Sequence, residues 1–256
     1  MFKKTLFALM ACTICGLPIV PEAKAIVNTE IIQAKLKDKT PFYELTVSAE
    51  KKQGNTDVEK YSGGFSFGSQ PSKKHQHIFM INTTYGESQG VTDVNNSFAH
   101  YRYQYKFDSI DWELFTQFEQ DEFTQIKLRA LLGTGLRIKL YDKDNLSFHN
   151  GYGIFYEHTD YSKSSVQSTE NFGRANIYLS MNYTFDTKSI FSLTGYFQPK
   201  VDEMDDYHTL IDASLSMPIN TWSSLSLVYQ LEHDNMPPER VKKSDHKYLT
   251  QLNFNW

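Results

Sequence analysis

Lys127-Leu128-Arg129-Ala130-Leu131-Leu132-Gly133-Thr134-Gly135-Leu136-Arg137-Ile138-Lys139-Leu140 is the stretch that decides the fold. Leu128, Ala130, Leu132, Thr134, Leu136, Ile138 and Leu140 occupy every second position, with Lys127, Arg129, Leu131, Gly133, Gly135, Arg137 and Lys139 between them. In an extended chain successive side chains point to opposite faces, so one face is oily and the other carries the cations. The run is longer than the roughly 5 or 6 residues of an ordinary strand. It is long enough to cross hydrocarbon at a tilt, which takes about 9–11 residues.

The same period returns along the chain. Ala99, Tyr101, Tyr103, Tyr105 and Phe107 alternate with His100, Arg102, Gln104 and Lys106; Ala175, Ile177, Leu179, Met181, Tyr183 and Phe185 alternate with Arg174, Asn176, Tyr178, Ser180, Asn182 and Thr184; Leu225, Leu227, Tyr229 and Leu231 do so with Ser224, Ser226, Val228 and Gln230. Twelve such segments are read near 42–53, 58–68, 77–87, 96–108, 112–121, 127–140, 146–158, 172–185, 189–199, 206–217, 222–232 and 246–256. Ile78 to Asn82 alternates poorly. An even number of ten-residue alternating segments predicts an all-β fold, a 12-stranded antiparallel transmembrane β-barrel of the outer-membrane type occupying 40–256.

The connections test this reading. Even-numbered turns should be short and periplasmic, odd-numbered loops longer and extracellular. Asp108 to Asp111, Asp142 to Asn145, Asp186 to Lys188 and Ile219 to Thr221 are tight even-numbered turns, and the long links near 159–171 and 233–245 are odd-numbered. Ser69 to Gln76 runs long and Gly54-Asn55-Thr56-Asp57 short, both against the rule. Phe107, Trp112, Tyr183, Phe185 and Trp222 fall beside the short turns, where a girdle of aromatics would meet the membrane boundary. The alternative is a secreted β-sandwich with its oily face inward. Strand length opposes it, as does the C-terminal pattern Tyr248, Leu252, Phe254, Trp256, which resembles the signal read by the barrel assembly machinery.

Composition agrees. The chain has 256 residues, 14% aromatic and only 8 Pro, which favours strands. Mean hydropathy is −0.49, too polar for a helical bundle in a membrane. Lys3 and Lys4, an apolar run from Thr5 to Val20, Pro21 and Ala23-Lys24-Ala25 form a signal peptide over 1–25, cleaved after Ala25. Leu9-Met10-Ala11-Cys12 loosely matches a lipoprotein box, but the apolar run continues past it. Cys12 and Cys15 both lie in the leader, so the mature chain offers no disulfide and no Cys ligand. Losing Lys3, Lys4 and Lys24 against Glu22 leaves 23 basic and 29 acidic residues, a net charge of −6, with no basic run suited to nucleic acid. Residues 26–39 are expected to be a short periplasmic extension or a weak helix.

Trp112-Glu113-Leu114-Phe115-Thr116-Gln117-Phe118-Glu119-Gln120-Asp121-Glu122-Phe123 and Ile126-Lys127-Leu128-Arg129-Ala130-Leu131-Leu132-Gly133-Thr134-Gly135-Leu136 resemble the YdiY-like, salt-induced outer membrane proteins, a family also catalogued as a domain of unknown function. Gln53-Gly54-Asn55-Thr56-Asp57 is similar to that family's Ser-Gly-Asn-Thr-Asp turn, with Gln for Ser. The resemblance implies an outer-membrane barrel of a Gram-negative bacterium linked to salt or envelope stress. It brings no catalytic residues.

The candidate sites lie on the polar face. Lumen-lining charge is expected from Arg102, Lys106, Glu113, Glu119, Arg129, Arg137, Lys139, Glu157, Arg174 and Asp212. Glu119 facing Arg129 would align Gln117 with Leu131, Phe115 with Gly133 and Glu113 with Gly135. Such pairs set register or form a charged constriction. Pairing across the Asp142 to Asn145 turn would set Lys139 by Ser147, Arg137 by His149, Gly135 by Gly151 and Gly133 by Gly153. That gathers four glycines at a barrel corner, or a ligand platform, with Phe115 and Phe155 in the adjoining space. A lipid-modifying hydrolase is the enzymatic alternative, but Ser147 and His149 share the lumen face, and His158 has serines only in the following loop. No nucleophile elbow, phosphate loop or zinc motif appears, so no cofactor or metal is expected. The expected function is a non-enzymatic narrow pore or plugged barrel. Its partners would be outer-membrane lipid, the assembly machinery and small ions or solutes. A loop-mediated interaction protein is the third possibility.

Overall fold

A computed structural model describes residues 28–38, 40–52, 58–122, 125–162, 169–237 and 243–256. The expected leader over 1–25 and the turn 53–57 lie outside them. Helix α1 (Glu30–Asp38) precedes twelve strands: β1 (Phe42–Lys52), β2 (Val58–Ser72), β3 (His75–Ser88), β4 (Val91–Lys106), β5 (Ile110–Asp121), β6 (Ile126–Lys143), β7 (Leu146–Tyr161), β8 (Glu170–Thr184), β9 (Ile190–Pro199), β10 (Tyr207–Pro218), β11 (Ser223–Asp234) and β12 (Ser244–Asn255). Each pairs antiparallel with its chain neighbours and β12 returns to β1, closing the barrel.

The burial pattern is that of a membrane barrel. Tyr101, Leu132, Ile177 and Leu227 are exposed, while Arg102, Glu113, Arg129, Glu157 and Arg174 are buried. A soluble protein places its oily side chains inside; here they face outward and the charges lie within. Phe107, Trp112, Phe185 and Trp222 are exposed at the short-turn end, with Trp222 stacked on Phe254 and Trp256 on Tyr43.

Four details differ from expectation. The second connection is tight, because β2 continues past Pro71 to Ser72 through a register shift and β3 begins at His75. The odd-numbered link between β3 and β4 is also tight, with Gln89 and Gly90 at positive φ. The β6–β7 turn lies closer to β7 than predicted: Lys143 pairs with Leu146, and Asp144 adopts a left-handed φ of 53°. A two-residue hairpin loop of Asp and Asn favours that conformation. A bulge between Lys139 and Tyr141 then sets Lys139 opposite His149, Arg137 opposite Gly151, Gly135 opposite Gly153 and Gly133 opposite Phe155.

The fourth difference is the N-terminal segment. The sequence places residues 26–39 outside the barrel, yet α1 lies within it. The Asn28 side chain accepts the Glu30 N–H, and Glu30 puts an acid in the first turn, as a helix start favours. Ile32 and Leu36, one turn apart, pack on Phe42 and Ile78. Ile78 is fully buried on a strand whose Ile81 faces outward, so β3 is oily on both faces where it meets the helix. A Cβ on Gly68 would strike Leu36, so that glycine makes room for α1. Across the lumen, Ser180, Asn182, Ser192 and Thr194 supply small buried side chains on β8 and β9.

Candidate functional site: the charged lumen

Two layers of paired charge cross the lumen. In the first, Arg137 on β6 grips the Glu30 carboxylate with both terminal nitrogens, one hydrogen bond measuring 2.7 Å. Asn182 also donates to Glu30, at 3.3 Å. The Tyr178 hydroxyl donates to Glu113 at 2.8 Å, Gln104 donates to Glu113 at 2.6 Å, and Arg102 lies 3.5 Å from the same carboxylate. Asn28 donates to Asp212 at 2.9 Å, and Lys35 pairs with Glu44. The helix and Asn28, two residues before it, are therefore tied to β1, β6, β8 and β10.

In the second layer Arg129 holds Glu157 by two hydrogen bonds of 2.7 and 3.0 Å, with Glu119 3.6 Å away. Arg174 approaches Glu157 at 3.3 Å and Asp206 at 2.9 Å; Lys200 reaches Asp206 at 2.6 Å. His208 lies 3.1 Å from Asp234. Between the layers sit two apolar clusters, Phe115 with Leu131 and Phe155, and Tyr178 with Tyr196 and Leu210. A buried charge without a partner costs several kcal/mol, which is why each layer is woven from both signs.

The register predicted for β5 and β6 is the one observed: Glu113 with Gly135, Phe115 with Gly133, Gln117 with Leu131, Glu119 with Arg129. Arg102, Glu113, Glu119, Arg129, Arg137, Glu157, Arg174 and Asp212 are all buried on the inner wall. Lys139 is not. It sits at the mouth, 3.7 Å from Asp142, with its side chain 39% exposed, because the bulge beside it ends the inner wall there. Lys106 is half-buried near the same turn level, opposite Asp111.

The four glycines do not form one patch. Gly135 and Gly153 oppose each other across β6 and β7, and a Cβ on Gly153 would lie 2.6 Å from the Thr134 carbonyl oxygen. Gly133 instead seats the Phe115 ring and Gly151 the Tyr178 ring. Each makes space for an aromatic that fills the lumen, so neither leaves a free platform. Gly133→Ala is expected to destabilise the barrel by about 1–3 kcal/mol through overpacking. Urea unfolding followed by heat-modifiable gel mobility measures this, and a neutral effect would remove the seat.

Sequence reasoning missed Glu30, Asn28 and Lys35, which belong to the segment read as an extension. It also missed His233 on β11, whose Nδ1 lies 2.7 Å from Ser244 Oγ on the outer wall. Among the described residues no group of three or more His, Cys, Asp or Glu is disposed to hold a metal.

A family model described as "Protein of unknown function, DUF481" matches residues 45–256. Among solved structures, the translocator domain of the autotransporter NalP from Neisseria meningitidis is similar with a TM-score of 0.53 and 7% identity, over 89% of this chain and 95% of that one. The NanC porin aligns at 0.48 and 8% identity, over 84% and 97%. The KdgM porin in complex with disordered oligogalacturonate aligns at 0.43 and 11% identity, over 84% and 96%. The search of curated proteins gives no match. At 7% identity the likeness to the NalP domain bears on the fold alone, an outer-membrane-type barrel.

Proposed function

The chain belongs to the DUF481 family, and we propose that this member is a non-enzymatic outer-membrane barrel whose own N-terminal helix keeps the lumen shut. The observation that carries this is the Glu30–Arg137 pair, a helix carboxylate held inside the barrel by a wall guanidinium. An open pore would leave its wall charges to water; here both layers pair across the space that ions would use. Of the two forms expected, a narrow pore or a plugged barrel, the helix favours the plugged one. The resemblance to salt-induced outer membrane proteins supports a place in the response to salt or envelope stress. In this reading the leader over 1–25 directs export of a Gram-negative envelope protein. The C-terminal pattern Tyr248, Leu252, Phe254 and Trp256 is what the assembly machinery reads.

Planar-bilayer recording tests the plug. The mature chain should show little conductance near neutral pH, and removing residues 28–38 should raise it about tenfold, by restoring a water-filled bore of the kind that wider barrels hold open. Steady conductance in the intact chain, unchanged by the deletion, would overturn the reading.

Acid gives a second handle. Burial alone would raise the Glu30 carboxyl, but the charge and hydrogen bonds of Arg137 outweigh it and hold the group at about 2, below its usual 4.5. A depressed folded value stabilises the seated helix above pH 4.5, and that contribution is lost as pH falls toward 2. Conductance should therefore appear only in that acid window.

A second reading, a lipid hydrolase, is favoured by one observation, the His233–Ser244 contact at 2.7 Å. Purified protein incubated with phospholipid separates the two. Hydrolysis abolished by Ser244→Ala would establish the enzyme; the plugged-barrel reading expects none.

A further inference from the structure

The wall is incompletely zipped where its ends meet. The ladder between β1 and β12 runs from Glu44↔Asn255 to Val47↔Leu252 and stops there. Beyond that point β1 stays paired with β2 as far as Lys52↔Val58, and β12 with β11 as far as His233↔Ser244. Two strand edges therefore diverge from an apex at Val47 and Leu252. The wedge between them is a cleft of about 550 Å³ lined by Val47, Ser48, Ala49, Tyr61, Ser62, Leu225, Thr250 and Leu252.

The lining has two sides. Val47, Ala49 and Tyr61 are exposed on the outer wall, while Ser48 pairs with Ser62 on the opposite face of the same strands. The cleft opens on the outer, lipid-facing side of the wall and its lining there is mostly apolar. Gly63, opposite Val47, widens the outer side, because a Cβ there would meet nothing within 4 Å. Leu45, Tyr61 and Leu227 surround the opening and are exposed among the oily side chains that face hydrocarbon. Strand edges at this depth carry backbone N–H and C=O groups that hydrocarbon cannot satisfy.

We propose that this cleft is a binding site for one acyl chain of an outer-membrane lipid. The tail lies between Val47, Leu225 and Leu252. The ester linkage lies at the Thr250 hydroxyl and the open backbone edge, which give it hydrogen-bond donors that a bare tail would not use. The medium selects this occupant: the opening lies in the oily belt, where lipid is the solvent. The main rival is a strand from a second copy, which would pair with the same edges. The proposal rests on the outer wall facing lipid and is independent of the plug.

The mature chain has no cysteine, so one thiol reports one place. Leu227→Cys labelled with bimane sits beside the cleft, and Leu132→Cys on β6 samples bulk lipid. Each full mature chain is placed in phosphatidylcholine vesicles containing graded amounts of phosphatidylcholine with a nitroxide on its acyl chain. Quenching at position 227 should saturate at low nitroxide-lipid fraction, whereas quenching at 132 should rise in proportion. Ala49→Phe, checked for folding by heat-modifiable mobility, should abolish the saturating component; Gly63→Leu fills the cleft from the other strand should Ala49→Phe not fold. Proportional quenching at both positions overturns the site. So does cross-linking of the unlabelled Leu227→Cys variant between two chains without saturation, the mark of a second copy. No quenching at 132 would instead overturn the lipid-facing wall on which the proposal rests.

Discussion

Glu157→Ala is expected to cost the barrel about 3–5 kcal/mol, as breaking a buried ion pair from one side does. Two guanidiniums converge on this carboxylate, Arg129 through two hydrogen bonds and Arg174 at 3.3 Å. Their side chains are 2% and 3% exposed, so water cannot replace what is lost. Arg129 would keep Glu119, at 3.6 Å, and Arg174 would keep Asp206. Urea unfolding of protein refolded in lipid measures the change. Asp160→Asn is the control. Its Lys127 partner is 71% exposed, and screening leaves such a pair with almost nothing to lose. Equal effects for the two substitutions would mean that the inner wall is as wet as the surface.

Arg137→Ala should have the second large effect, of about 3 kcal/mol, because it strands a carboxylate inside the barrel. Glu30 is fully buried and would retain the Asn182 amide, at 3.3 Å, in place of a guanidinium. Expelling the helix relieves that cost, so the variant should become sensitive to protease within 28–38 and conduct in a bilayer. The double change Glu30→Gln with Arg137→Gln removes both charges and should be milder than Arg137→Ala alone. A double variant as damaged as the single one would show that the two residues do not act as a pair.

The barrel was legible because a membrane wall must repeat one pattern. Oily side chains on every second residue recur in strand after strand, β3 being the exception, and the strand bounds follow to within about five residues. Register was legible across β5 and β6, where Glu119 and Arg129 mark it. It was misread across β6 and β7, where the bulge at Lys139 leaves no trace in the alternation. The helix inside the barrel was the larger omission, and a faint signal for it existed. Ile78 breaks the alternation of β3 because it faces the oily side of α1, not the polar lumen. Ile32 and Leu36 stand one helical turn apart in a segment too short to declare itself an amphipathic helix. A lumen-facing apolar residue in a membrane strand asks what covers it, and here the answer lies in the preceding residues. The pairing of Glu30 with Arg137 spans 107 positions in sequence and follows only once the helix is inside.

The seating of that helix can be measured directly. Ile32→Cys and Ile78→Cys place two thiols in one buried cluster of a chain whose own cysteines, Cys12 and Cys15, both lie within residues 1–25. Mild oxidation of intact cells should convert the protein to an internally bridged form with altered gel mobility, and the thiol at position 32 should resist a bulky water-soluble maleimide. No bridge, with position 32 labelled as fast as an exposed thiol, would contradict a lumen closed by its own N-terminus.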